Sequence, residues 1–324
     1  MRLRNWLVLL GILVATLAWA ATLEDPPVFV SSWGTWGSGP GQFKYPQGIA
    51  VDAAGNIYVA DYVNHRVQKF DSQGNFLLQM GPAVGTGTLT HPAGVAVSAA
   101  GRVYVTDEEG NGVVAFTTDG VYVTAWSGTG PAPGAFSFPK GIATDATGNV
   151  YVVDSGNSRI QKFTADGQFI AAWGSEGHAP GQLNGPEGIA IGPSGDIYVT
   201  NFGDRRVEKF SSDGTFVLEW SVGQMPWFIA CDNHDNVYIT DRIQDVVYKH
   251  SSSGQLLTQW GSPGGGNGQF ASPTGIAVTS SGDILVADPD SDIPPGVLSR
   301  VQRFSSTPTA VRATTLGAVK ARYR

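Results

Sequence analysis

Short apolar runs separated by polar turns recur along almost the whole chain. One set reads Gly48-Ile-Ala-Val-Asp52, Asn56-Ile-Tyr-Val-Ala-Asp61, Arg66-Val-Gln-Lys-Phe70 and Phe76-Leu-Leu-Gln-Met80. Each run is of strand length. The connections Asp52-Ala-Ala-Gly55 and Asp71-Ser-Gln-Gly74 put Asp first and Gly fourth, as a type I turn prefers. The set returns six times, starting at Pro46, Pro92, Pro139, Pro186, Pro226 and Pro273. Gly48, Gly94, Gly141, Gly188, Phe228 and Gly275 mark equivalent positions, spaced by 46, 47, 47, 40 and 47 residues. Four antiparallel strands in a unit of that length predict a propeller blade, which buries its faces only against neighbouring blades.

The pattern also predicts how the ring is packed and closed. Alanine recurs in the innermost run, as Ala50, Ala96, Ala143, Ala190, Ala230 and Ala277, where blades converging on an axis select a small side chain. The fourth run ends in Trp126, Trp173, Trp220 and Trp260, with Met80 in the first set and Trp36 ahead of it. Such regular placement predicts interblade core rather than a ligand platform. The sixth set stops after its third run, Arg300-Val-Gln-Arg-Phe304, and a spare run, Phe29-Val-Ser-Ser-Trp33, precedes the first. The expected fold is therefore all-β: a six-bladed β-propeller of four-stranded antiparallel blades, closed by an N-terminal strand that completes the last blade and removes an open edge.

The run Pro-x-Gly-Ile-Ala-Val-Asp, Gly-Asn-Ile-Tyr-Val-Ala-Asp, Asn-x-Arg-Val-Gln-Lys-Phe resembles the NHL repeat over Phe29 to Phe304. The resemblance implies six blades, in agreement with the count. It also implies relatives as varied as the terminal domains of tripartite-motif proteins, extracellular sensors of bacterial kinases and a peptide-amidating lyase. The chain departs from the pattern at Gly112, Asn201, Phe228 and Val246, and carries about seven extra residues after Asp288.

Composition adds a compartment. Arg2 and Arg4, the apolar stretch Trp6 to Leu17 and the small-x-small Ala18-Trp19-Ala20 form the pattern of a secretory signal peptide over residues 1–20, the alternative being an uncleaved anchor. Residues 21–28 are a short leader, residues 29–304 the propeller, and residues 305–324 a linker with a basic tail. The expected place is secreted, periplasmic or at the cell surface, with no integral membrane span after cleavage and a monomeric state. Cys231 is the sole cysteine, which leaves no intramolecular disulfide and no thiolate zinc cluster within one chain. A ubiquitin-ligase role carried from tripartite-motif relatives fails for the same reason. The formal charge of −7 disfavours a nucleic-acid partner.

Candidate chemistry gathers on the face that carries the longer loops. Around the channel mouth should lie the residue between Pro and Gly of each set: Gln47, Ala93, Lys140, Glu187, Trp227 and Thr274. Asp61/Arg66 and Asp154/Arg159 recur in several blades, which points to loop-bracing ion pairs rather than catalysis. Surplus acids at Asp107, Glu108 and Glu109, and at Asp288, Asp290 and Asp292, are expected to form an acidic arc with Tyr62 and His65 between them. Asp288-Pro-Asp290-Ser-Asp292 also resembles the start of a calcium loop, although Ile293 replaces the turn glycine and Ser299 the bidentate glutamate. The histidines His65, His91, His178, His234 and His250 are scattered over the repeats and form no evident three-ligand set. The expected function is a non-catalytic scaffold for a protein, peptide or glycan partner, without a cofactor. The alternative is a secreted lyase or hydrolase with a metal at the channel mouth.

Overall fold

The computed structural model describes residues 23–81, 88–289 and 298–306. The segment expected to be a signal peptide, the tail from 307 onward and Asp290 and Asp292 lie outside these residues. Six four-stranded antiparallel sheets follow one another around the ring. Blade one comprises Pro46–Val51, Ile57–Asp61, Arg66–Phe70 and Phe76–Met80, close to the ranges read from the sequence. The inner strands of blades two to five are Pro92–Val97, Pro139–Thr144, Pro186–Ile191 and Pro226–Cys231. Blade six consists of Ile276–Val278, Asp283–Pro289 and Ser299–Ser305, with Val28–Trp33 on its outer edge.

That last pairing is the expected closure. Phe29 stands opposite Phe304 and Trp33 opposite Val301, with a register shift between Phe29 and Ser31. The leader is engaged as well: the Glu24 amide donates to the Leu257 carbonyl of blade five, and its carboxylate lies 2.6 Å from Lys249. On the inner side, the Thr274 hydroxyl of blade six donates to the Pro46 carbonyl of blade one at 2.7 Å.

The core lies between blades. Ala277, Leu285, Ala287 and Val301 of blade six pack with Ile49, Ile57, Val59 and Phe70 of blade one, and similar clusters fill the other gaps. Second strands are therefore buried throughout, as in Ile57–Asp61, whereas the outer strand of blade one alternates between buried and exposed positions. Burying both faces of a sheet explains why the second strand reads as a continuous apolar run.

Two features of this packing differ from the sequence reading. The tightest interblade approach falls two residues before the recurrent alanine, on glycine. A Cβ at Gly48 would sit 2.8 Å from the Ala93 carbonyl oxygen of the next blade, and one at Gly188 would sit 2.8 Å from that of Trp227. Of the recurrent alanines, Ala96, Ala190, Ala230 and Ala277 are buried, and Ala50 and Ala143 are half-buried. The outer-strand indole position of blade six is filled by Trp33, not by Trp36, which instead packs edge-on against Tyr45. Trp33, Trp126, Trp173 and Trp220 each press on a left-handed turn glycine of the following blade, Gly74, Gly167, Gly214 and Gly254. A side chain at those turns would meet both the indole and an unfavourable backbone conformation.

Candidate functional site

The loop face is held rigid by one buried carboxylate per blade, or its substitute. Asp61 ends the second strand of blade one and is fully buried. Its Oδ1 accepts the Lys44 amide at 2.7 Å, and its Oδ2 accepts Asn64, Arg66 and Gln68 at 2.8, 2.9 and 3.1 Å. Asp154 does the same with Ser137, Asn157, Arg159 and Gln161. Blade four carries Asn201 in this place, and the charge reappears across the strand pair at Glu208, which accepts from Asn201 and from Arg206 at 2.9 Å each. The expected bracing role is thus visible in the hydrogen bonding.

The same arrangement takes two of the described members, Asp107 and Asp288, out of the expected acidic arc. Asp107 is buried and accepts the amides of Thr90, His91 and Gly110. Asp288 is fully buried and accepts from Ala271, Arg300 and Gln302. Burial pushes its carboxyl up to about 6, against the opposing pull of the Ala271 amide and Arg300. Both acids therefore act as braces, and neither faces a partner. Their alignment with Asp61 and Asp154 in the repeat was the available signal.

What the loops frame is a cavity of about 240 Å³ at the channel mouth. Its walls come from two repeat positions. The residue between Pro and Gly supplies Gln47, Ala93, Lys140, Glu187 and Trp227, and the residue after the bracing acid supplies Tyr62, Glu108 and Arg242. Phe228 adds an apolar wall. Thr274, the sixth member of the first position, instead turns its hydroxyl into the blade-six closure contact. The second position is equally regular in the sequence, where Arg242 follows Asp241 as Tyr62 follows Asp61 and Glu108 follows Asp107, although Arg242 is not among the candidates expected from the sequence.

Inside the mouth the polar groups engage one another. Lys140 Nζ lies 2.9 Å from Glu187 Oε1 and 3.8 Å from Glu108 Oε1. It also sits 5.0 Å from the centroid of the Trp227 ring, and the Arg242 guanidinium sits 4.4 Å from the same centroid. Trp227 donates its indole N–H towards Gln47 at 3.4 Å. Glu187 is only 4% exposed. Burial raises its carboxyl to about 7 even though Lys140 opposes the shift. Its Oε2 has no hydrogen-bond partner among the described residues. The Tyr62 hydroxyl is pushed up by burial and by Glu108 beside it.

The histidines separate into two groups. His65 and His91, from blades one and two, meet with ring centroids 5.1 Å apart, and His91 stacks 4.5 Å from Tyr62 beside the mouth. Glu109 is drawn to this pair, 2.9 Å from His91 Nδ1. His178 pairs with Asp204 on a separate loop, whereas His250 is buried against Trp220. Among the described residues no three His, Cys, Asp or Glu side chains are grouped to hold a metal ion. No described helix is long and apolar enough to cross a membrane.

Comparison with known proteins matches the NHL repeat model to residues 43–70, 89–116, 136–163, 183–210 and 270–292. The chain is 44% identical over 54 residues to Protein brain tumor of Drosophila melanogaster, covering 17% of this chain and 5% of that one. It is 48% identical over 48 residues to Protein lin-41 of Caenorhabditis elegans, covering 15% of this chain and 4% of that one. The chain therefore spans a small part of these relatives. Among solved structures, a Staphylococcus aureus virginiamycin B lyase superposes with a TM-score of 0.57 at 16% identity, over 80% of this chain and 94% of that one. A gluconolactonase from Xanthomonas campestris gives 0.60 at 16%, over 87% and 98%. A chain of the nidogen/laminin complex gives 0.56 at 19%, over 67% and 80%. At such identities the likeness is one of fold.

Proposed function

We propose that this chain, a member of the NHL-repeat family, is an exported binding protein whose recognition centre is the channel mouth on the loop-rich face. Export is supported by the charged start, apolar run and Ala-Trp-Ala of residues 1–20. The observation that carries the binding reading is the division of labour within each repeat. Framework positions such as Asp61, Asp107, Asp154 and Asp288 repeat and are buried, while the two positions that line the mouth differ in every blade. A rigid scaffold that presents non-repeating side chains around one cavity is the arrangement expected of a ligand site.

The fold is compatible with both enzymes and binding proteins, so it does not choose between them. A metal-centred lyase or hydrolase needs three or more convergent His or carboxylate ligands. The mouth offers Glu108 and Glu187, with Lys140 lying against both. Immobilised mature protein is expected to capture a partner from native envelope extract, and the double variant Lys140→Ala/Trp227→Ala to lose that capture by at least about tenfold. His234→Ala, in a tight turn at the opposite end of the strands, is expected to capture normally. Equal capture by the wild type and the double variant would remove the mouth from the function.

A further inference from the structure

We propose that the channel mouth holds one neutral, polyhydroxylated ring, a hexose-sized terminal unit of a glycan; this rests on the mouth being the recognition centre. Charge is the first reason. Lys140 lies against Glu108 and Glu187, and Arg242 lines the same cavity, so an ammonium ligand meets these cations, a carboxylate ligand meets Glu108, and either competes with the contacts that Lys140 already makes. A neutral ligand leaves those contacts intact.

Hydrogen bonding is the second reason. Glu187 is buried, lines the cavity and keeps Oε2 without a partner. An unmade hydrogen bond on a buried polar atom is costly, and a ligand that supplies it gains the difference. With the carboxyl raised to about 7, both of its protonation states are populated near neutrality. An ammonium has no acceptor for the proton of the neutral form, and a carboxylate has no donor for the ionised one. A hydroxyl both donates and accepts, and fits either. The remaining wall is mixed: it carries the Gln47 amide, the Lys140 and Arg242 cations lying against the Trp227 ring, and the apolar Phe228. A sugar ring likewise carries polar hydroxyls and apolar C–H groups on one small body. The cavity of about 240 Å³ is smaller than the ~300–1,000 Å³ that encloses drug-sized molecules, which fits a single ring and not an extended chain.

The test is saturation-transfer NMR on the mature protein with methyl glycosides of the common neutral hexoses and N-acetylhexosamines. n-Butylammonium and butyrate serve as charged comparators. Transfer to the ring protons of at least one neutral glycoside is expected, and neither comparator should bind. Affinity should vary by less than about threefold between about pH 6 and pH 8, because a hydroxyl serves both forms of Glu187. Trp227→Ala and Glu187→Ala should each weaken binding by at least about tenfold. If Glu187→Ala does not fold, the pH series on the unaltered protein still decides. Butylammonium binding that strengthens with rising pH, butyrate binding that strengthens with falling pH, or no transfer to any neutral glycoside overturns the ligand class. Loss of envelope capture in Lys140→Ala/Trp227→Ala without glycoside binding would leave the mouth standing and remove only the sugar. Equal glycoside binding by wild type and Trp227→Ala would remove the site.

Discussion

His250 stands where Phe70, Phe116, Phe163, Phe210 and Phe304 stand in the other blades. It is buried against Trp220 and Tyr248, and burial lowers its imidazole from 6.5 to about 4. The unfolded chain binds a proton near 6.5 that the folded chain refuses until about 4. This residue's contribution to stability is therefore complete above about pH 6.5 and declines as the pH falls towards 4. His250→Phe restores the side chain of the other blades and removes that proton. Its stability advantage over the wild type should grow by on the order of 2 kcal/mol between about pH 7 and about pH 4.5, read from urea unfolding at each pH. A constant difference at both pH values would mean that the histidine is already charged in the folded state.

At the scale of the blade, the loop between second and third strands is held by groups that have left water. Arg159 donates to Asp154 and to the carbonyls of Pro131, Ala132 and Ala135, and Asp154 is fully buried. Arg159→Ala leaves that carboxylate without its cation, so a loss of roughly 3 kcal/mol or more is expected, well above an exposed pair. Denaturant titration reads the loss, and capture through the mouth should persist at temperatures where the variant remains folded. A loss below about 1 kcal/mol would show the pair to be solvated. Blade four shows the same requirement met differently, because Glu208 supplies the charge that Asn201 lacks. That exchange is legible in the sequence only when Glu208 is set against Gln68, Gln161 and Gln302.

For the whole molecule, the ring depends on a strand that precedes blade one in the chain and completes the last blade. Val28–Trp33 covers the edge of Ser299–Ser305, and Trp33 presses on Gly74 of blade one. Removing residues 21–36 exposes that edge and opens the gap between the first and last blades. The melting temperature should fall by more than about 10 °C, since 1 kcal/mol is worth ~2–4 °C or less in a chain of this size. Calorimetry of the proteins starting at residues 21 and 37 decides it, and melting within a degree or two of each other would show that closure contributes little.

The local pattern was sufficient for strands, turns, blade number and closure, because each is set by side-chain alternation and turn residues within a few positions of one another. It was also sufficient to place Gln47, Lys140, Glu187 and Trp227 at the mouth, since one repeat position maps to one radius of the ring. Burial was not legible, because it depends on the neighbouring blade. Asp107 and Asp288 read as exposed acids and are braces, the crowded positions are the glycines that precede the alanines, and Trp33 takes the place assigned to Trp36. Nor could the chain alone bring Arg242 and Lys140 onto the ring of Trp227, or leave one oxygen of Glu187 without a partner. The contact of Lys140 with Trp227 joins blades three and five and that with Glu187 joins blades three and four, so only the assembled ring sets their distances.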